Sequence, residues 1–75
     1  KVFPNPANES VTLKFNNNKN EETHINIYDL SGRLVYENIN TISQLQINLN
    51  EFKAGVYIIK MTQNETVYTS QFVKS

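Results

Sequence analysis

The chain has 75 residues, with 7 Lys+Arg against 7 Asp+Glu, a net charge of +0 and no cysteine. Balanced charge disfavours nucleic acid or an anionic membrane as the main partner, since both bind clustered positive charge, and the lack of cysteine excludes a disulfide framework and thiol chemistry. A domain this short must place nearly all of its apolar side chains in one core. Little remains for a ligand cavity, which disfavours an enzyme.

Apolar residues recur along the chain with a period of two, which is typical of half-buried strands. The predicted strands cover residues 1–3, 10–15, 24–28, 33–38, 44–49, 56–61 and 66–73. Residues 56–61 form a near-continuous apolar run, which predicts a central strand covered on both faces. No apolar run approaches the ~18 residues that a membrane helix needs, so we expect no direct membrane insertion.

Turn signals separate these strands. Residues 29–32, Asp-Leu-Ser-Gly, predict a tight turn in which Asp29 accepts hydrogen bonds from downstream N–H groups and Gly32 supplies a positive φ. The face of the strand that follows is ambiguous, because three consecutive residues (34–36) are apolar or aromatic. Residues 50–55 predict a corner from which Phe52 packs back into the core.

Short strands at 8–12-residue spacing indicate the fold class. We predict an all-β protein, a small antiparallel Ig-like β-sandwich of about seven strands, folded as one domain over residues 1–75.

The side chains able to do chemistry form no recognisable catalytic or metal motif. A triad of His24, Ser31 and Asp29 is disfavoured, because the serine and aspartate share one tight turn and serve its backbone. The glutamates fall in loops or at strand ends, and no calcium-binding loop pattern is present. We therefore predict no catalytic residue, no cofactor and no metal.

Four tyrosines leave a second class of function open. Tyr28, Tyr36, Tyr57 and Tyr68 would form a platform for sugar if several of them shared one exposed face. The favoured interpretation is that each ring caps the core and leaves its hydroxyl in water. The alternative function is thus an Ig-like accessory module that binds carbohydrate or acts as a spacer.

Three segments, in this order and spacing, carry a family resemblance over essentially the whole chain. They are residues 3–7 (FPNPA), residues 25–35 (INIYDLSGRLV) and residues 49–60 (LNEFKAGVYIIK), with QFVK following at 71–74. The chain resembles the type A C-terminal sorting domain of the type IX (Por) secretion system of Bacteroidetes. Many members finish on a basic residue, whereas this chain ends Lys74-Ser75.

The resemblance implies a function that strand periodicity does not show. It implies a signal domain that directs a cargo, N-terminal in the same chain, across the outer membrane. Its implied partners are the type IX translocon, an outer-membrane shuttle protein and a sortase-like peptidase that often removes the domain. The implied location is the periplasm in transit, then the cell surface or the extracellular medium. Because the chain starts at Lys1 rather than Met, we expect it to be excised from a larger exported protein.

The residues that carry the resemblance are also the candidate recognition residues. They are Pro4, Asn5, Pro6, Asp29, Gly32, Gly55, Tyr57, Phe72, Val73 and Lys74. The prolines make a stiff, extended entry that suits a protease or receptor, or that blocks aggregation at a sheet edge. The glycines are expected to serve backbone geometry and Tyr57 to pack in the core. The last strand is the best candidate for receptor contact, and deleting residues 71–75 is expected to abolish export with the sandwich largely folded.

Overall fold

The computed structural model describes residues 2–3, 9–15 and 21–75, which form strands joined by turns. The strands are β1 (Val2–Phe3), β2 (Ser10–Lys14), β3 (Thr23–Asp29), β4 (Leu34–Asn40), β5 (Gln44–Asn48), β6 (Gly55–Gln63) and β7 (Thr66–Lys74). Six of them have five residues or more and β1 has two, so the prediction of about seven strands is corrected to six full strands and one short pairing. Within the described ranges, no helix is long and apolar enough to cross a membrane.

Two antiparallel sheets form the sandwich-like domain, which confirms the predicted fold class. One sheet has the order β1-β2-β5 and the other has the order β4-β3-β6-β7. Alternate residues of the strands point between the sheets and make one apolar core. Its fully or nearly fully buried members are Val11, Leu13, Ile25, Ile27, Ile47, Leu49, Tyr57, Ile59, Met61 and Phe72. Phe52 packs against this core, as its place in the corner predicted.

The strand with the ambiguous face, β4, contains an irregularity in its pairing with β3. Ile27 pairs with Tyr36 but the next residue, Tyr28, pairs with Leu34, so one residue of β4 is extra at this point. Such a bulge moves the strand out of strict alternation. This explains why three consecutive apolar residues fit in β4 without a single buried face.

The prediction that the 56–61 strand is covered on both faces is wrong. β6 lies between β3 and β7, and it buries Tyr57, Ile59 and Met61 against the other sheet. On its outer face Val56 and Ile58 are only half-buried, and Lys60 is exposed. β3 and β7 on either side of β6 partly cover these outer side chains. An apolar run in β6 therefore does not require another layer of protein on the outer face of the sheet.

Candidate functional site

The turn between β3 and β4 is held by one carboxylate. Asp29 Oδ1 accepts hydrogen bonds from the Ser31 N–H at 3.0 Å and the Ser31 hydroxyl at 2.6 Å. It also accepts from the Arg33 N–H at 3.0 Å, while Arg33 Nε lies 3.2 Å from Asp29 Oδ2. The Ser31 hydroxyl, the Arg33 N–H and the guanidinium charge favour the ionised form, so the pKa of Asp29 lies below its ordinary value of 3.8. These contacts confirm the predicted turn and fix the shape of its tip.

Two glycines at this end of the molecule have backbone conformations that side chains disfavour. Gly32 has a φ of 87° and donates its N–H to the Asp29 carbonyl at 3.0 Å. Gly55, the first residue of β6, has a φ of 148°. A Cβ at either position would meet no atom within 4 Å. Backbone geometry, as predicted, and not crowding therefore accounts for glycine at both positions.

An aromatic cluster fixes the start of β6 beside the end of β7. The Tyr57 ring stacks on Phe72 with centroids 5.4 Å apart, and it meets the edge of Phe52 at 5.1 Å. The Tyr57 hydroxyl donates to the Lys53 carbonyl at 2.6 Å. Tyr57 thus packs in the core as predicted, and its hydroxyl also closes the corner that precedes β6.

Strand pairing brings the motif residues to one end of the four-stranded sheet. Asp29 pairs with Tyr57, Tyr57 pairs with Phe72, and Gly55 pairs with Lys74. The β3–β4 turn, the start of β6 and the end of β7 therefore lie at the same end of the sheet, with β6 between the turn and β7. We call this part of the molecule the motif end, and it comprises residues 29–33, 52–57 and 72–74. An open groove runs along it between the turn and the corner, lined by Asp29, Arg33, Tyr36, Glu51, Phe52 and Lys53.

Phe72 does not have the role expected of it. We predicted that it contacts a receptor, together with Val73 and Lys74, but its side chain is 0% exposed. In the folded domain it anchors β7 to the core and cannot face a partner. Val73, on the opposite face of the strand, is 40% exposed, and Lys74 is half-buried with Nζ 2.9 Å from the Ser75 carbonyl oxygen. Pro4, Asn5 and Pro6 lie outside the described residues.

The motif end also exposes residues that the sequence interpretation missed. Leu30, at the tip of the turn, is 70% exposed, and Leu34 beside it is 46% exposed. The Arg33 side chain is 73% exposed although Nε contacts Asp29. The sequence did contain a signal for the exposed Leu30. Turn tips ordinarily carry polar residues, and this one has a leucine among Asp, Ser and Gly.

The alternative sites considered from the sequence do not assemble. His24 Nε2 lies 3.1 Å from Glu22 Oε1, near the opposite end of β3 from Asp29 and Ser31. Five residues along a strand span about 16 Å, so the three side chains are not a triad.

The tyrosines likewise form no common platform. Tyr57 is in the core, while Tyr36 pairs with Ile27 and packs against the core. Tyr28 lies on the outer face of the four-stranded sheet, since its neighbour Ile27 points inward. Tyr68 is 53% exposed, but it pairs with Met61, which points to the core, so Tyr68 and Tyr28 lie on opposite faces of the sheet. The four rings therefore do not share one exposed face.

Comparison with known proteins gives the geometry its context. The whole chain, residues 1–75, matches the secretion system C-terminal sorting domain family. The chain belongs to this family of sorting domains. Over 75 residues it is 37% identical to an endo-acting ulvan lyase of Formosa agariphila, covering 97% of the chain and 14% of that protein. Over 74 residues it is 35% identical to an ulvan lyase of Nonlabens ulvanivorans, covering 96% of the chain and 14% of that protein.

The family assignment confirms the resemblance to sorting domains of the type IX (Por) secretion system. It is a family of sorting tails and not of catalytic domains. The sorting domain spans only 14% of the length of the two relatives, so their lyase activity describes proteins much longer than this chain.

Proposed function

We propose that this sorting domain directs a cargo, attached N-terminally, across the outer membrane through the type IX secretion system. The translocon and an outer-membrane shuttle protein bind the motif end, and a sortase-like peptidase then removes the domain. The cargo passes through the periplasm and reaches the cell surface or the medium. By analogy with the two ulvan lyases, a lyase is a suitable cargo.

The observation that carries this proposal is the convergence of the motif residues. Residues far apart in the chain, 29–33, 52–57 and 72–74, lie at the same end of one sheet, with the start of β6 between the other two segments. If the motif residues served stability alone, we would expect them at core positions distributed over the whole sandwich. Here the buried members, Tyr57 and Phe72, hold the strands in place, while neighbouring residues stay exposed.

The exposed surface of the motif end defines the contact that a partner would make. Leu30 and Val73 offer apolar side chains, and Arg33 offers a cation. The turn is braced by the Asp29 carboxylate, so binding orders few new groups and loses little conformational entropy. β7 is an edge strand of its sheet, which suits a receptor that reads alternate side chains of an extended segment.

The deletion of residues 71–75 is not a clean test of this proposal. Deletion of residues 71–75 removes Phe72, which is fully buried and stacked on Tyr57, so the sandwich would not stay largely folded as we expected from the sequence. Removing a buried phenylalanine side chain alone costs about 3–5 kcal/mol. Loss of export by the deletion would therefore report unfolding as well as lost recognition.

Point variants at exposed positions separate these effects. Val73→Ser changes the motif end, and Val67→Ser makes the same change on the same strand and outer face at the far end, where Val67 is 52% exposed. With each domain fused behind a fluorescent cargo in a type IX-competent bacterium, Val73→Ser and Leu30→Asn should reduce export, whereas Val67→Ser should not. Equal export by all three variants, with unchanged melting temperatures, would contradict binding at the motif end.

A further inference from the structure

The outer face of the four-stranded sheet has a charge and polarity pattern that complements itself. In its central row, Asn26 of β3 pairs with Glu37 of β4 on one side and with Lys60 of β6 on the other. All three point outward, because Ile25 and Ile27 on either side of Asn26 are buried. Opposite charges thus flank a central amide at equal distances.

Neither charge of this row is neutralised within the described part of the chain. Neither Glu37 nor Lys60 takes part in the ion pairs of His24 with Glu22 and of Arg33 with Asp29. Within one copy, β3 lies between Glu37 and Lys60, so their backbones are about 10 Å apart. Asn26 donates to the Tyr28 hydroxyl at 3.3 Å, but its own Oδ1 is buried without a hydrogen-bond partner.

Of the rows on either side of the charged row, one is apolar and the other combines one apolar residue with two polar ones. One row places Tyr28 between Leu34 and Ile58. The other places His24 between Ile39, which is 53% exposed, and Thr62. The face therefore combines apolar side chains with two opposite charges, and charges placed in this way can meet complementary charges of another protein surface.

We propose that this face pairs with the same face of a second copy, about a two-fold axis parallel to β3 through Asn26. In such an isologous contact each position meets its mirror position across the axis. Glu37 then lies opposite Lys60 of the second copy, twice, and Leu34 lies opposite Ile58 of the second copy. Asn26 meets its symmetry mate, and a rotation about Cβ–Cγ lets the two amides pair.

The charges also select this orientation over the alternative one. A two-fold axis perpendicular to the strands would place Glu37 against Glu37 and Lys60 against Lys60, which like-charge repulsion disfavours. Face-to-face sheets pack about 10 Å apart with strands within about 30° of each other, which keeps Glu37 and Lys60 of opposing copies within side-chain reach.

The pairing does not compete with the proposed sorting function. β7 lies two strands from β3, whereas on the other side only β4 separates β3 from the sheet edge. Mirrored about β3, β7 faces no strand of the second copy. Val73 and the end of β7 remain accessible, so the sorting proposal and the dimer proposal stand or fall separately.

Charge reversal tests the proposed face. The variants are Lys60→Glu, Glu37→Lys and the double reversal, and their dimerisation is measured by sedimentation equilibrium at low salt from ~10 μM to ~1 mM, a range that covers weak association. Each single reversal should weaken dimerisation at least about tenfold, because it turns two attractive pairs into repulsive ones. The double reversal should restore it to within about threefold of the natural chain. Lys53→Glu and Glu51→Lys, which carry the same changes in net charge outside this face, should leave dimerisation nearly unchanged.

Concentration-dependent amide chemical shifts of the natural chain provide a second readout that needs no variant. Shifts should move at β3, β4 and β6 and stay constant at β2 and β5. A chain that stays monomeric up to ~1 mM would overturn the proposal. Dimerisation that is insensitive to both single reversals, or shifts confined to another surface, would overturn it equally.

Discussion

Replacing Phe72 with alanine tests how the motif end is anchored. The Phe72 side chain is 0% exposed and stacks on Tyr57 at 5.4 Å. Truncating a phenylalanine this deeply buried costs about 3–5 kcal/mol, through lost transfer free energy and the cavity left behind. A 75-residue domain has a total stability of about 4–11 kcal/mol, so the variant would lose a large part of it.

Urea denaturation followed by far-UV circular dichroism measures this loss. With a denaturant slope of ~1 kcal/mol per M for so small a domain, the midpoint should fall by about 3–5 M or the variant should be unfolded without urea. Val73→Ala is the matched control, because the Val73 side chain is next to Phe72 in the chain but lies on the opposite face and is 40% exposed. Its truncation should lower the free energy of unfolding by less than about 1 kcal/mol. A Phe72→Ala midpoint within about 0.5 M of the natural chain would refute the buried anchor.

Substitutions at three further positions test the turn and the corner. Asp29→Asn should lower the melting temperature most at neutral pH and least at pH values below the lowered pKa of Asp29, because the ionised carboxylate stabilises the fold above its ordinary pKa of 3.8 and this stabilisation is lost as the pH falls through the folded value. A melting-temperature difference that does not depend on pH would contradict this. Tyr57→Phe should cost about 1 kcal/mol in urea denaturation by removing the hydrogen bond to the Lys53 carbonyl, and an unchanged stability would show that bond to be unimportant. Gly32→Ala should cost about 1 kcal/mol for its φ of 87°, with a smaller loss in Gly32→Asn, and equal losses would argue against backbone strain as the cause.

Local chemistry made part of this fold predictable from sequence. The Asp29 turn was predictable because a carboxylate and a glycine at this spacing satisfy their own backbone. Alternation predicted the buried residues of β2, such as Val11 and Leu13. The family resemblance, carried by ordered motifs, predicted the sorting-domain assignment that strand periodicity left open.

The pairing of strands that are far apart in the chain could not be predicted from the sequence. The partner of β2 is β5, with Val11 opposite Ile47, and no local signal specifies that choice. The burial of Phe72 and the exposure of Val73 follow from the register of β7 on β6. Alternation in β7 did not reveal this burial, because Tyr68 and Phe72 lie on the same face of the strand and only Phe72 is buried. Leu30 was visible in the sequence as an apolar residue in a turn, but its place at the same end of the sheet as the end of β7 emerged only from the strand pairing.

The fraction of cargo that leaves the cell tests the central claim most directly. A fluorescent protein carrying this domain at its C-terminus is expressed in a type IX-competent strain and in the same strain with an inactivated translocon, beside the unfused fluorescent protein. We expect the fusion in the medium or on the surface of the competent strain alone, with the unfused protein retained in both strains. Retention of the fusion in the competent strain, or equal release from both strains, would contradict the account.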